Sequence, residues 1–223
     1  TSSSNPSARG TCQESELQEI WFAYIHNGRA VFADTGSDSF QPNRPTAIFL
    51  DNSCQNAPVY IVHMNAGGEV DMLKYARERG IKVMGETCPQ YLFFTIDDLR
   101  KPDGAKWICS PPMRTKEDNA RLWEGLTDGI LQTVGTDHCP FFFDGTLPIM
   151  YEGKEVTIPG KELGRYNFTK IPNGLPGIQD RMPILWTYGV QTGHITPNQF
   201  VACTSTNPAK IFGLYPRKGV LVP

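Results

Sequence analysis

Several things are scarce in this 223-residue chain, and each scarcity excludes something. No apolar stretch approaches the ~20 residues that a membrane-crossing helix needs; the longest, 57–64, has the length of a strand. Charge of one sign is not in excess: 21 basic and 23 acidic residues leave a net charge of −2, with no block of like charges. That balance argues against nucleic acid and membrane surfaces as partners. The opening "TSSSNPSARG" has no apolar core of the kind a secretory leader carries, and no initiator methionine, so the chain is expected to be trimmed or partial. Six cysteines (12, 54, 88, 109, 139 and 203) are scattered without a single CxxC pair. Neither a disulfide scaffold nor a cysteine-rich zinc module is expected, and the pattern suits a reducing cytoplasm. Histidine is also rare, at four residues: 26, 63, 138 and 194.

What is present is an ordinary globular composition, 39% hydrophobic and 20% charged, with enough glycine and proline (21 and 18) for many turns. Residues 1–56 are loop-like and uninformative, although "LQEIWFAYIHNGRAVF" is compatible with a helix, a strand pair or neither. From position 57 the pattern becomes regular. "VYIVHMN" (59–65) reads as a strand buried on both faces, followed by an amphipathic helix ending at Gly80. "IKVMGE" (81–86), "KWICS" (106–110) and "ILQTVGTD" (130–137) read as three further strands, with a helix over 117–129. Strands alternating with helices imply a parallel α/β sheet. Residues 144–162 form a polar, hairpin-like insertion, 181–190 a helix, and Asn207-Pro208 the cap and first position of another.

In parallel α/β folds the reactive side chains lie at the carboxyl ends of strands. That rule selects His63, Cys88, Ser110 and Asp137. An imidazole and a carboxylate on two such strands are credible ligands to one divalent metal. A lone histidine in an apolar strand is also a common core residue, and a strand-terminal aspartate a common turn cap. A His138–Cys139 nucleophile pair is disfavoured, because neighbours along extended chain face opposite ways.

The segments "VYIVHMN", "GIKVMGETCPQYLFF", "WICSPPMR", "LQTVGTDHCPF", "FTKIPNGLPGIQDR" and "TSTNPAKIFGLYPRKG" together resemble the hydantoinase/dihydropyrimidinase family of cyclic amidohydrolases, in order and over 57–223. The resemblance implies a TIM-barrel-like (β/α)₈ fold, of which this chain carries the C-terminal part, and hydrolysis of a cyclic amide or imide to an N-carbamoyl amino acid. It implies a two-metal centre, usually zinc, with His63 as a ligand and Asp137 as both ligand and general base. Ser110 and Asn173 match positions whose backbone holds the ring of a dihydropyrimidine or 5-substituted hydantoin. His138 and Cys139 become structural neighbours of Asp137. A homo-oligomer, tetrameric in the family, is a further expectation. The pattern also departs from the family: the His-x-His pair and the carboxylated lysine have no counterpart, and only His26 stands upstream of His63. Two of six ligands remain, so the chain by itself is expected to be inactive. The second hypothesis is a non-catalytic dihydropyrimidinase-like scaffold, although relatives of that kind lack the aspartate that stands here at 137.

Overall fold

The protein is described by a computed structural model covering residues 23–26, 29–32 and 58–221. Two short strands, β1 (Ala23–His26) and β2 (Arg29–Phe32), pair antiparallel, which selects the strand-pair reading of that segment. The rest of the expected loop region, 1–56, lies outside the described residues.

The organising element is a three-stranded parallel sheet of β3 (Val59–Ile61), β4 (Val83–Thr87) and β5 (Thr133–Val134), in that order. Parallel strands need a crossover, and helix α1 (Gly67–Glu78) supplies the first. Val70 and Leu73 turn inward from it, as the 3.6-residue period requires. Its first turn is closed by Glu69, whose carboxylate accepts the backbone N–H groups of Asn65 and Ala66 at 2.7 and 3.0 Å. Gly80 follows with φ +76°, the left-handed stop that glycine adopts freely. Two short helices, α2 (Pro89–Phe93) and α3 (Ile96–Leu99), precede α4 (Lys116–Thr127). The N-terminus of α4 is held by a reciprocal Thr115–Asp118 capping box. Leu122, Trp123 and Leu126 of α4 join Val70, Leu73, Val83, Leu131 and Val134 in one core between the helices and the sheet.

The expected strand over 106–110 does not form. Gly104–Trp107 is a 3₁₀ turn, and β4 pairs directly with β5. Pro111 and Pro112 bring no N–H to a ladder, and the Ile108 carbonyl is taken by the Gly174 N–H at 3.0 Å and the Lys161 ammonium at 2.9 Å. The segment therefore packs as a loop pinned by tertiary contacts. The strand expected over 130–137 contracts to two residues for a related reason. Beyond Val134 the chain bonds only once more to β4, through Gly135 N–H to the Thr87 carbonyl, before it turns.

The insertion at 144–162 is a hairpin of β6 (Ile149–Tyr151) and β7 (Lys154–Val156). Glu152 and Gly153 both have positive φ, +49° and +75°, the turn that suits the twist of a two-residue hairpin. Glu162 ties its base together by accepting the N–H groups of Gly145 and Gly160. The C-terminal helical part runs α5 (Arg181–Leu185), which continues in π geometry over Trp186–Val190, and then α6 (Pro197–Val201), π over Ala202–Thr206, and α7 (Asn207–Ile211). Asn207 is not a cap. It lies inside this continuous run, and its amide donates to the Gln132 carbonyl at 2.9 Å. Pro208 removes one N–H from the ladder, and the preceding turn widens into π geometry instead of stopping. The true cap is Thr196, with Gln199 three residues on.

Candidate metal centre

The sheet brings two of the sequence-selected residues face to face. His63 lies two residues past the end of β3 and Asp137 three residues past the end of β5, and Nε2 of the first is 3.5 Å from Oδ1 of the second. Both side chains are about three-quarters covered. Their backbones share an unusual property. His63 has φ +58° and Asp137 φ +46°, and among the described non-glycine residues only Glu152 also has a positive φ. A side chain makes the left-handed region costly, by about 1–2 kcal/mol per residue, although His and Asp tolerate it better than most. Backbone held there against its preference aims a side chain where an ordinary strand end would not, a pattern common at functional sites.

Glu86 and Cys88, at the carboxyl end of β4, complete the cluster. Sequence reasoning passed over Glu86, although the strand-end rule that selected Cys88 applied equally to it. One donor atom each from His63, Glu86 and Cys88 lie within 4.8 Å of one another. The Tyr60 hydroxyl donates to Glu86 Oε2 at 2.6 Å and stands 2.6 Å from the Thr133 hydroxyl, so a residue of β3, itself held by one of β5, orients the carboxylate on β4. Gly135 leaves the space that carboxylate fills: a Cβ there would meet it at 2.6 Å. Burial, and then the charges of Glu86 and Asp137, push the Cys88 thiol well above its usual range, and the Arg181 guanidinium opposes them. Burial lifts the Cys109 thiol to about 11, against the Tyr91 hydroxyl beside it and with the charge of Asp137 adding to the rise.

Ser110 and Asn173 are both exposed, and their segments meet. Gly174 donates to Ile108, and the buried Lys161 ammonium spans the Ile108 and Pro172 carbonyls at 2.9 and 3.2 Å. The Asn173 segment also runs beside the Asp137 segment: His138 bridges to Leu175, and Cys139 N–H donates to the Leu175 carbonyl. Gly174 permits this approach, because a Cβ there would strike the Cys139 carbonyl at 2.3 Å. His138 Nδ1 accepts from Gly177 N–H at 3.0 Å, the hydrogen bond of a structural neighbour.

The donor chemistry fits a divalent metal. Two N/O ligands ~2.1 Å from a tetrahedral ion stand about 3.4 Å apart, close to the His63–Asp137 separation. Imidazole and carboxylate are the ligands that zinc and its neighbours accept.

A sequence model described as the amidohydrolase family matches residues 53–223. The chain belongs to the amidohydrolase family. The D-hydantoinase of Streptomyces coelicolor is 47% identical over 169 residues, which is 75% of this chain and 33% of that one. A D-phenylhydantoinase of Escherichia coli is 42% identical over 168 residues, 75% of this chain and 33% of its own length. Among solved structures, the dihydropyrimidinase of Brevibacillus agri NCHU1002 superposes with a TM-score of 0.68 at 49% identity, covering 77% of this chain and 34% of that one. This amidohydrolase chain thus spans about a third of the length of the relatives it matches. Among its described residues no helix is long and apolar enough to cross a membrane, and the thiols of Cys88, Cys109, Cys139 and Cys203 are free.

Proposed function

We propose that this chain is the C-terminal part of a (β/α)₈-type barrel in a metal-dependent cyclic amidohydrolase, which opens a dihydropyrimidine or 5-substituted hydantoin to an N-carbamoyl amino acid. The observation that carries the reading is the convergence of His63 and Asp137 at 3.5 Å, both on left-handed backbone at the ends of parallel strands. His63 and Asp137 would hold metal, zinc being the usual ion and two the usual number once ligands from further chain complete the centre. When bound, the metal supplies polarisation of the scissile carbonyl and activation of water. Asp137 takes the proton from the attacking water and returns it to the departing ring nitrogen. Backbone groups of Ser110 and Asn173, whose segments Lys161 and Gly174 tie together, orient the cyclic amide. Large apolar side chains exposed along the 141–168 stretch, including Leu147, Tyr166 and Phe168, support burial against further chain or another subunit. A retained His–Asp pair favours an enzyme over a scaffold.

The test replaces the matching third of the S. coelicolor D-hydantoinase with this chain. The chimaera is assayed for ring opening of dihydrouracil and a 5-substituted hydantoin. The expected result is an N-carbamoyl product whose rate falls at least ~10²-fold in the Asp137→Asn chimaera. Turnover undiminished by that substitution would sink the assignment of Asp137.

A further inference from the structure

The proposed function accounts for His63 and Asp137 and leaves Glu86 and Cys88 without a role. These two stand two residues apart at the end of β4, so they project from the same face of the strand, toward the His63 end of β3. With His63 they form the only group of three or more His, Cys, Asp or Glu donors this close together among the described residues. Cys88 is fully buried, so its sulfur is screened from bulk water. Glu86 is oriented by the Tyr60 hydroxyl, the type of outer hydrogen bond that fixes a ligating carboxylate. Of the other described thiols, Cys109 faces Tyr91 and the Pro111 carbonyl, Cys203 faces the Phe200 carbonyl of its own helix, and Cys139 is exposed.

We propose that His63, Glu86 and Cys88 form a three-ligand site for a single thiophilic divalent cation of the zinc group. The inference rests on the reading of His63 as a metal ligand, and it adds a sulfur and a carboxylate that the proposed function does not use. A mixed imidazole, carboxylate and thiolate set selects zinc, cobalt or cadmium over magnesium, calcium or manganese, which prefer oxygen alone. The present spread of up to 4.8 Å exceeds the edge of about 3.4–3.8 Å of a tetrahedral zinc site, and closing it requires side-chain rotations of about 1 Å. On binding, the Cys88 S–H proton passes to solvent and a sulfur–metal bond forms, with no change of oxidation state.

Cobalt(II) titration of the intact 223-residue chain tests the site. The expected result is a near-ultraviolet thiolate-to-cobalt charge-transfer band that saturates at one equivalent. The band should vanish in Cys88→Ser, with cobalt affinity falling at least ~10-fold, and persist in Cys139→Ser. Far-ultraviolet circular dichroism checks that Cys88→Ser folds. A cadmium NMR shift on the unsubstituted chain, downfield as a sulfur ligand demands, tests the same point without any variant. A band that survives Cys88→Ser, or a cadmium shift typical of nitrogen and oxygen alone, overturns the proposal. Cobalt binding that lacks the band but disappears in His63→Ala overturns the role of Cys88 and keeps His63 as a ligand. No binding at all overturns the site, and the chimaera assay then judges the amidohydrolase reading on its own.

Discussion

The left-handed backbone at His63 and Asp137 predicts an inversion of the usual order of alanine and glycine. At most positions alanine is the more stabilising residue by about 0.5–1 kcal/mol, because glycine loses more freedom on folding. At φ +58° and +46° a Cβ costs about 1–2 kcal/mol. The balance favours glycine by about 0.5–1 kcal/mol at each position. The pair His63→Gly/Asp137→Gly should therefore exceed His63→Ala/Asp137→Ala by about 1–2 kcal/mol. Both double variants lack the His–Asp contact equally, so its loss cancels in the comparison. Urea unfolding followed by tryptophan fluorescence, with the buried Trp123 as reporter, measures the difference as a change in midpoint at constant slope. Thr136 is the control: it is not a left-handed residue, so there alanine should be the more stable. Alanine equal to or better than glycine at both 63 and 137 would refute the claim that the site holds strained backbone. If the prediction holds, part of the stability of the chain is given up to aim two side chains at one point.

Two other predictions concern the scaffold beneath the site. Leu122 of α4 is wholly buried in the core, so Leu122→Ala should cost about 2–5 kcal/mol in the same urea experiment, and a loss under 1 kcal/mol would contradict the packing described. Burial raises the Glu69 carboxyl from 4.5 to about 7, against the pull of the Ala66 and Asn65 N–H groups and Arg114, and Asp118 adds to the rise. The folded state thus holds this proton more tightly than the unfolded state. Its stabilising contribution is complete below about pH 4.5 and is lost as pH climbs through 7, by up to about 3 kcal/mol. Glu69→Gln should flatten that part of the stability profile; an unchanged slope between pH 5 and 8 would refute it.

Much of the architecture follows from local pattern. The β-branched run at 59–62, the apolar positions of 70 and 73, the stop at Gly80 and the alternation of strand and helix are written in neighbouring residues, and the parallel α/β sheet follows from them. The apolar content of the 106–110 segment suits a strand and a buried loop equally well. What keeps it out of the sheet is the claim of Gly174 and Lys161, from 53 or more residues away, on its carbonyl. Asn207 carried a cap signal of the right type, but helical backbone before it and the Gln132 carbonyl beside it gave that side chain another use.

The site divides in the same way. The residue types and their places at strand ends pointed to His63 and Asp137, since alternating strands and helices oblige strand ends to gather on one edge. Family motifs supplied Ser110 and Asn173. Their meeting through Ile108 and Pro172, the 3.5 Å approach of imidazole to carboxylate, the left-handed turns that produce it and the entry of Glu86 and Cys88 into the same cluster were decided only by tertiary structure. Sequence specifies donors and the period at which they face one way. The distance between donors on different strands depends on register, on the space left by Gly135 and on how each chain turns after its last ladder bond, and none of these is local.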